Sequence, residues 1–170
     1  NKEKRVRKYM FGFGKKKEIK AKEFNAVISG KSIDLSEVKD DMFSSRALGK
    51  GMAVIPTSDE IVSPCNGKVV MVAETKHAIA IENDEGIQVL IHIGLDTVNL
   101  NGKGFEVFCK AGDEVKNGKV IAKVDRDFLR KENISDVTMM VVVEPNGRNI
   151  IECNNKQDVQ AGSSVLIKYE

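Results

Sequence analysis

The chain contains two histidines, and their placement around one predicted hairpin carries most of its chemical information. His77 precedes the apolar run Ala78–Ile81, and His92 follows the run Ile87–Ile91. The polar segment between these runs is typical of an antiparallel hairpin turn. A symmetric turn centred on Asp84-Glu85 pairs the histidines on one face, with Cβ atoms about 4.5–5.5 Å apart. Two adjacent imidazoles can accept, donate or share a proton or a phosphoryl group near neutral pH.

The residues around the histidines suit phosphoryl chemistry. The Thr75 hydroxyl can fix the tautomer of the first histidine. Gly94 lets backbone amides approach phosphate oxygens. In the predicted register Ile79, Ile81 and Leu90 share the histidine face, and an apolar rim of this kind excludes competing water. A one-residue change of register would place the histidines on opposite faces.

Two other interpretations of the histidines remain open. The first is a structural role, since a single strand histidine is commonly partly buried with its hydrogen bonds satisfied. The second is a metal site at His77 and His92, but two histidines are fewer than the three protein ligands of a catalytic zinc. Asp96 completes such a site only if its loop turns inward. Its other predicted role is to cap the turn at Asp96-Thr97.

The elements that position these residues are predicted to be mainly strands. Short apolar segments recur between turn signals, which indicates an all-β sandwich or barrel. One short helix is predicted over Asp125–Asn133, and Asp34–Phe43 is predicted to hold another turn or two. Beside the two hairpin runs, the predicted strands are Phe24–Ser29, Met52–Ile55, Ile61–Ser63, Val69–Ala73, Phe105–Cys109, Val120–Val124, Met139–Val143 and Val165–Tyr169.

A pseudo-repeat is visible in the sequence. Val27–Ile33 resembles Val62–Val69, and Ala111–Ile121 is loosely matched by Asp158–Ile167. The second pattern contains Gly-Asp-x-Val-x-x-Gly before an apolar strand, a device also seen in biotinyl and lipoyl carrier domains. It predicts architecture and not chemistry.

Length and charge define the organisation of the chain. Its 170 residues, 41% of them hydrophobic, suit one domain, predicted over residues 22–170. The first 20 residues carry nine Lys and Arg against two Glu. The other 150 carry 18 against 23 Asp and Glu, a net charge of −5. We therefore expect a basic flexible tail over residues 1–21, part of it a linker or foreign sequence, and no nucleic-acid binding by the acidic remainder. The tail is also a candidate for contact with anionic lipid.

Three cysteines, Cys65, Cys109 and Cys153, form no close pair, which favours a reducing cytoplasm over a disulfide scaffold or a cysteine-rich zinc site.

The histidine motifs resemble a known family. Thr75–Ile81 and Val89–Val98 resemble the glucose-type enzyme IIA of the bacterial phosphoenolpyruvate:sugar phosphotransferase system. The likeness extends through Leu100–Phe105 and Ala111–Gly118, and upstream through Gly49–Pro56 and Ile61–Pro64. It implies an antiparallel β-sandwich with a duplicated hybrid motif and one or two short helical turns.

The resemblance also implies roles for individual residues. His92 is expected to be phosphorylated on its distal nitrogen by the histidine phosphocarrier protein, and to pass the group to a cysteine of a IIB domain during sugar uptake. His77 is expected to hydrogen-bond the phosphoryl group, and Thr75 to orient the pair. No cofactor is required for this transfer. The location implied is the cytoplasm, with membrane contact only through the tail or a permease.

Partner recognition in the family uses an apolar rim with acidic residues. The candidates before the hairpin are Asp40, Met42, Phe43, Ala47 and Leu48, and those after the second histidine are Gly94, Asp96 and Val98. An acidic residue beside an apolar patch suits a partner with arginine near its phosphohistidine. Regulated transporters or kinases are further candidate partners. The chain departs from the family at Asp41, where an apolar residue is common, and at Ala73, where phenylalanine is common.

Three rival functions are open to test. A biotin or lipoyl carrier needs a lysine at a hairpin tip, and Met139-Met140 has no such lysine. A lysostaphin-like zinc peptidase needs His-x-x-x-Asp and His-x-His motifs, which the sequence lacks. The main alternative is a regulatory module that binds zinc through His77 and His92, with a further ligand from a partner protein.

Overall fold

A computed structural model describes residues 22–154 and 156–170. The predicted basic tail, residues 1–21, lies outside these residues, and so does its proposed contact with lipid. None of the helices in the described part of the chain has the length and hydropathy of a membrane span.

The described residues form an all-β structure with short helical turns, as the sequence predicts. Fourteen strands in these residues make three sheets in which all pairs are antiparallel. In chain order the strands are β1 (Glu23–Asn25), β2 (Gly30–Asp34), β3 (Gly51–Pro56), β4 (Glu60–Val62), β5 (Gly67–Val72), β6 (Ala78–Asn83), β7 (Gln88–Ile93), β8 (Phe105–Val107), β9 (Glu114–Val115), β10 (Val120–Val124), β11 (Thr138–Glu144), β12 (Ile150–Glu152), β13 (Asp158–Val159) and β14 (Val165–Tyr169).

The largest sheet has eight strands in the order β13-β2-β3-β11-β7-β6-β5-β9. Two three-stranded sheets, β1-β14-β12 and β4-β10-β8, share one apolar core with it, to which Phe24, Ile121 and Ile91 each contribute a fully buried or nearly fully buried side chain. A second, smaller cluster includes Ala53 and Met139 of the large sheet. The large sheet is therefore covered by apolar contacts on both faces.

The helical segments before β3 and after β10 lie where the sequence predicts them, whereas the 3-10 turn at Thr97–Leu100 is not predicted. Helix α1 spans Asp41–Ser44 and follows a 3-10 turn at Leu35–Glu37. Helix α2 spans Arg126–Lys131, and the Asp125 carboxylate caps it by accepting from the Phe128 amide at 3.0 Å. Aspartate is a favoured residue at a helix N-cap because its side chain accepts from an otherwise unpaired amide.

The strand prediction is wrong for one segment and misses four other strands. Phe24–Ser29 is not one strand, because β1 ends at Asn25 and the buried residues after it hydrogen-bond to separate segments. The apolar-run pattern also misses the four strands β2, β9, β12 and β13, of which two have only two residues. Strands as short as β9 and β13 carry too few residues to show an alternating pattern, and β2 has five residues but only one hydrophobic residue, Ile33.

The pseudo-repeat corresponds to repeated pairing. Gly30 and Lys31 pair with β13, and Gly67 and Lys68 pair in the same way with β9. A Cβ on either glycine would lie within about 2.2 Å of a carbonyl oxygen on a neighbouring strand, so both positions require close backbone approach. The duplication implied by the resemblance is thus visible in the structure.

The β6–β7 hairpin has a register one residue away from the predicted one. His92 pairs with Ala78, whereas the predicted register paired it with His77. A three-residue loop closes the hairpin through a hydrogen bond of 3.0 Å from the Asn83 amide to the Ile87 carbonyl, and its last residue, Gly86, has φ +77°. The prediction is wrong because it assumed a turn with an even number of residues, whereas a glycine at positive φ favours a three-residue loop.

The change of register also corrects the predicted faces. Ile79 and Ile81 are fully buried in the main core and do not share the face of His92. Leu90 does share that face, because it lies two residues before His92 on β7.

Candidate active site

His92 lies near the end of β7, within the large sheet. Its neighbours across the strands are Ala78 on β6 and Met139 on β11. The Phe43 ring, from helix α1, packs against the imidazole with ring centroids 5.0 Å apart. The ring is therefore enclosed by apolar groups but remains partly accessible.

The backbone after β7 fixes one nitrogen of His92. The Nδ1 atom lies 3.0 Å from the Gly94 carbonyl oxygen. Since a carbonyl only accepts, Nδ1 carries the hydrogen and Nε2 carries the lone pair of the neutral ring. Gly94 has φ +77°, and a Cβ there would lie 2.5 Å from the Thr97 Cγ2 atom and 2.7 Å from the Ser135 carbonyl oxygen. Glycine is thus needed for the bend that presents this carbonyl.

His77 lies in a bend just before β6 and not in the strand. Lys76, directly before it, has φ +65°, and the Lys76 amide donates to the Ala73 carbonyl at 2.8 Å. Because strand alternation does not extend into this bend, the register change leaves the histidines together. Their ring centroids are 4.9 Å apart, in an edge-on arrangement at 82°. The expectation that a one-residue slip would separate them is wrong for this reason.

Thr75 contacts His77 as the sequence suggests. Its Oγ1 atom lies 2.8 Å from His77 Nδ1. A hydroxyl can donate or accept, so this contact allows either tautomer of His77. His77 is mostly buried, with 9% of its surface exposed.

Burial lowers the pKa of both histidines. For His92 desolvation is the main cause, the neighbouring His77 adds to it, and the pKa falls to about 4. Desolvation also lowers the pKa of His77. Burial disfavours a charged imidazolium. Both rings are therefore neutral at pH 7, and a neutral imidazole has the lone pair that a nucleophile needs.

The early loop, residues 40–50, covers one side of His92. Asp40 caps α1 by accepting from the Met42 amide at 2.9 Å. The Phe43 side chain is buried, with 4% of its surface exposed, whereas Met42 lies at the surface and is 52% exposed. Leu48 packs against the smaller apolar cluster and Ala47 is exposed. Of the five predicted rim residues in this loop, Phe43 thus contacts His92 and Met42 faces solvent.

The segment after His92 supplies the other side of the rim. Asp96 is exposed, and its backbone is in the left-handed region with φ 59°. Its side chain makes no capping hydrogen bond, so the predicted capping role is wrong. The turn is held instead by the buried Thr97 hydroxyl, which donates to the Ile93 carbonyl at 2.6 Å. Val98 is 48% exposed. The charges of Asp40 and Asp96 both act on His92 in the direction that raises its pKa.

The histidine pair offers a metal two nitrogens. Within residues 22–154 and 156–170, no three His, Cys, Asp or Glu side chains come together as a metal-binding group. Zinc at His77 and His92 would need a third ligand from outside these residues.

Sequence reasoning misses Arg46, which ties the early loop to the body of the protein. Its guanidinium contacts Glu152 at 2.8 Å and Asp34 at 3.1 Å. These partners are 106 and 12 residues away along the chain, so no local spacing indicates them. We call Arg46, Asp34 and Glu152 the Arg46 clamp.

Comparison with known proteins places this geometry in a family. Residues 22–147 match the family model for the phosphoenolpyruvate-dependent sugar phosphotransferase system, EIIA 1. The chain is 41% identical over 143 residues to a PTS system glucose-specific EIICBA component of Staphylococcus carnosus. It is 40% identical over 142 residues to a glucoside-specific EIICBA component of the same organism. Each match covers 84% of this chain and about a fifth of the relative, 21% and 20%.

A solved structure agrees with these matches. The fold superposes on glucose permease IIA from Mycoplasma capricolum with a TM-score of 0.80 and 33% sequence identity. The match covers 90% of this chain and 98% of that one. The chain therefore belongs to the EIIA 1 family of the phosphoenolpyruvate-dependent sugar phosphotransferase system.

Proposed function

We propose that this chain carries a phosphoryl group on His92 Nε2, received from the histidine phosphocarrier protein and passed to a cysteine of a IIB domain. The observation that carries the proposal is the contact of His92 Nδ1 with the Gly94 carbonyl, beside a second imidazole. It leaves one nucleophilic nitrogen, with a defined tautomer, at a partly accessible position. The relatives support the IIB partner, since their names describe fused EIICBA components.

The transfer step balances without a cofactor. The lone pair of His92 Nε2 attacks phosphorus, the N–P bond of the donor phosphohistidine breaks, and that bond's electron pair returns to the donor imidazole. The His92 ring becomes an imidazolium whose Nδ1–H still donates to the Gly94 carbonyl. In the second step a IIB thiolate attacks phosphorus and His92 leaves as the neutral ring. In-line transfer of this kind depends on positioning and on charge stabilisation.

His77 supports the phosphoryl group in this mechanism. If the Thr75 hydroxyl donates to His77 Nδ1, then Nε2–H of His77 is a donor for a phosphoryl oxygen. The two imidazoles then have opposite tautomers, one as nucleophile and one as donor. The opposite tautomers require a hydrogen-bond donor at His77 Nδ1. The Thr75 hydroxyl can donate there, whereas a carbonyl could not.

The rim suits partners with a basic and apolar face. Exposed Met42 and Val98 provide apolar contacts, and Asp40 and Asp96 provide negative charge near His92. Arginine on a phosphocarrier can pair with these carboxylates while an apolar surface covers the methionine and the valine. We propose this rim for both partners, and glucose or a glucoside as the sugar, following the names of the two relatives. The place of action is then the cytoplasmic side of the membrane, beside the permease.

Intact mass spectrometry tests the proposal. The chain is incubated with phosphoenolpyruvate, enzyme I and the phosphocarrier, as wild type, His92→Ala and His77→Ala. We expect an acid-labile gain of one phosphoryl group in wild type and His77→Ala, and no gain in His92→Ala. The absence of a phosphoryl mass gain in folded wild type would contradict the proposal.

A second candidate is zinc-dependent regulation, with the ligand in trans. The observation that favours it is the pair of neutral imidazoles 4.9 Å apart, each with Nδ1 engaged. Calorimetric titration with Zn²⁺ tests it, first on the chain alone and then with a candidate transporter or kinase. Equal binding by wild type and His77→Ala in both titrations would reject this role.

A further inference from the structure

Arg46 has a backbone conformation that its residue type does not favour. It follows the last turn of α1 and its C-cap, Ser45, and has φ +61°. Its amide donates to the Phe43 carbonyl at 3.0 Å. Glycine is the usual residue at this position after a helix, because it has no Cβ to clash in the left-handed region. An arginine here suggests that its side chain has a role.

The side chain makes paired contacts with two carboxylates. Its Nε and Nη2 atoms contact the two Glu152 oxygens at 2.8 and 2.9 Å, and Nη2 contacts the Asp34 oxygens at 3.1 and 3.2 Å. Glu152 also accepts from the Gly51 amide at 2.9 Å. The side chains of Arg46, Asp34 and Glu152 are 28%, 21% and 12% exposed, so water screens these charges less than at the open surface.

The Arg46 clamp joins three separate parts of the protein. Asp34 ends β2 in the eight-stranded sheet, and Glu152 ends β12 in a three-stranded sheet. Arg46 itself belongs to the early loop, three residues after Phe43. Since the Phe43 ring packs 5.0 Å from the His92 ring, the clamp holds the loop segment that encloses the nucleophile.

We propose that Arg46 is a positioning residue for phosphoryl transfer: through Asp34 and Glu152 it holds the early loop so that Phe43 stays against His92. The proposal rests on the proposed function for its kinetic consequence, but its geometric part does not. When the clamp is broken, the loop moves away from His92 and water reaches the imidazole. The same movement displaces Asp40 and Met42 from the rim that the partner contacts.

Two substitutions separate this role from that of a simple turn residue. Glycine adopts φ +61° without strain, so Arg46→Gly would preserve or improve a turn that needed only its backbone. Glu152→Gln removes a charge from the clamp and leaves Arg46 in place. Arg148→Gln is the matched control, because Arg148 is 29% exposed and pairs with Glu85 at the other end of the β6–β7 hairpin.

The first readout is the pKa of His92 in the unphosphorylated protein, measured by monitoring the NMR signals of its ring during a pH titration. The groups that face His92 are His77, Asp40 and Asp96. Displacement of Asp40 with the loop would lower the His92 pKa, but burial has the larger influence on this pKa, so its relief decides the direction. We expect the His92 pKa to rise towards its usual value in Arg46→Gly and Glu152→Gln, by about one unit as burial is relieved. It should stay unchanged in Arg148→Gln. An unchanged pKa in folded Arg46→Gly and Glu152→Gln would overturn the proposal.

The second readout is the rate of phosphoryl transfer from the phosphocarrier. Arg46→Gly and Glu152→Gln should raise KM and lower kcat, and Arg46→Lys should recover part of the loss, since a lysine can pair with one carboxylate but not bridge both in the same way. Wild-type kinetics in Arg46→Gly would also contradict the proposal. If wild type itself takes up no phosphoryl group, the proposed function fails, and the NMR titration still decides whether Arg46 holds the loop.

Discussion

The strand end at His92 and the bend at His77 hold their imidazoles in different ways. His92 stands on a paired strand and its Nδ1 contacts a backbone carbonyl, which only accepts. His77 lies outside the strand and its Nδ1 contacts the Thr75 hydroxyl, which can donate or accept. One ring therefore has a fixed tautomer, suited to a nucleophile, while the other can adopt the tautomer that the proposed phosphoryl transfer requires.

The largest expected effect comes from removing the proposed nucleophile. His92→Gln should reduce phosphoryl uptake to background, because the amide has no comparable nucleophilic nitrogen. His77→Gln is the matched variant and should still be phosphorylated. Acid-labile incorporation from phosphoenolpyruvate measures both. Comparable incorporation into His92→Gln would contradict the assignment of the nucleophile.

Removing the second imidazole should act on the onward step. His77→Gln is expected to slow transfer to the IIB cysteine by about 10²–10⁴-fold, the range typical of a positioned proton donor or acceptor. Single-turnover transfer from the phosphorylated chain to IIB measures the effect. A wild-type rate would show that the bend at His77 is not part of the reaction.

The depressed pKa of His92 predicts a pH-dependent stability. Because the folded state has a His92 pKa of about 4 and the unfolded state about 6.5, the unfolded chain binds a proton that the folded chain does not within this window. The free energy of unfolding should therefore fall as pH drops from 6.5 to 4, by roughly 2–3 kcal/mol from this group. Urea unfolding at several pH values measures it in wild type and His92→Gln. An equal decrease in both proteins would show that other groups cause it.

The smallest effect is expected at Thr75. Thr75→Val removes the hydroxyl at similar volume and leaves His77 Nδ1 without this partner, which costs about 1 kcal/mol, or roughly fivefold in onward transfer. Thr75→Ser keeps the hydroxyl and should retain most of the rate. Slow transfer in Thr75→Ser as well would indicate that the methyl group, not the hydroxyl, matters.

The sequence predicts the strands and turns whose signals are local. Val120–Val124 and Val165–Tyr169 are strands with the predicted bounds, and α2 lies within Asp125–Asn133. Long apolar runs and a favoured capping residue can be recognised in the sequence because they depend only on neighbouring residues. Strands β12 and β13 are not predicted, since they have only three and two residues and show no alternating pattern.

The sequence predicts the contact between the two histidines but not its geometry. The predicted register between them is wrong because Gly86 permits a three-residue loop. Their contact survives because Lys76, at positive φ, takes His77 out of the strand. The Arg46 clamp has no signal in the sequence, because its two carboxylates come from strands of two different sheets.

The division of labour between the two histidines is tested most directly by NMR of the ¹⁵N-labelled imidazole nitrogens, before and after phosphorylation. We predict that His92 carries hydrogen on Nδ1 in the free protein and phosphorus on Nε2 afterwards, while the protonated nitrogen of His77 in the phosphorylated protein is Nε2. Phosphorus on His77, or on Nδ1 of His92, would contradict it.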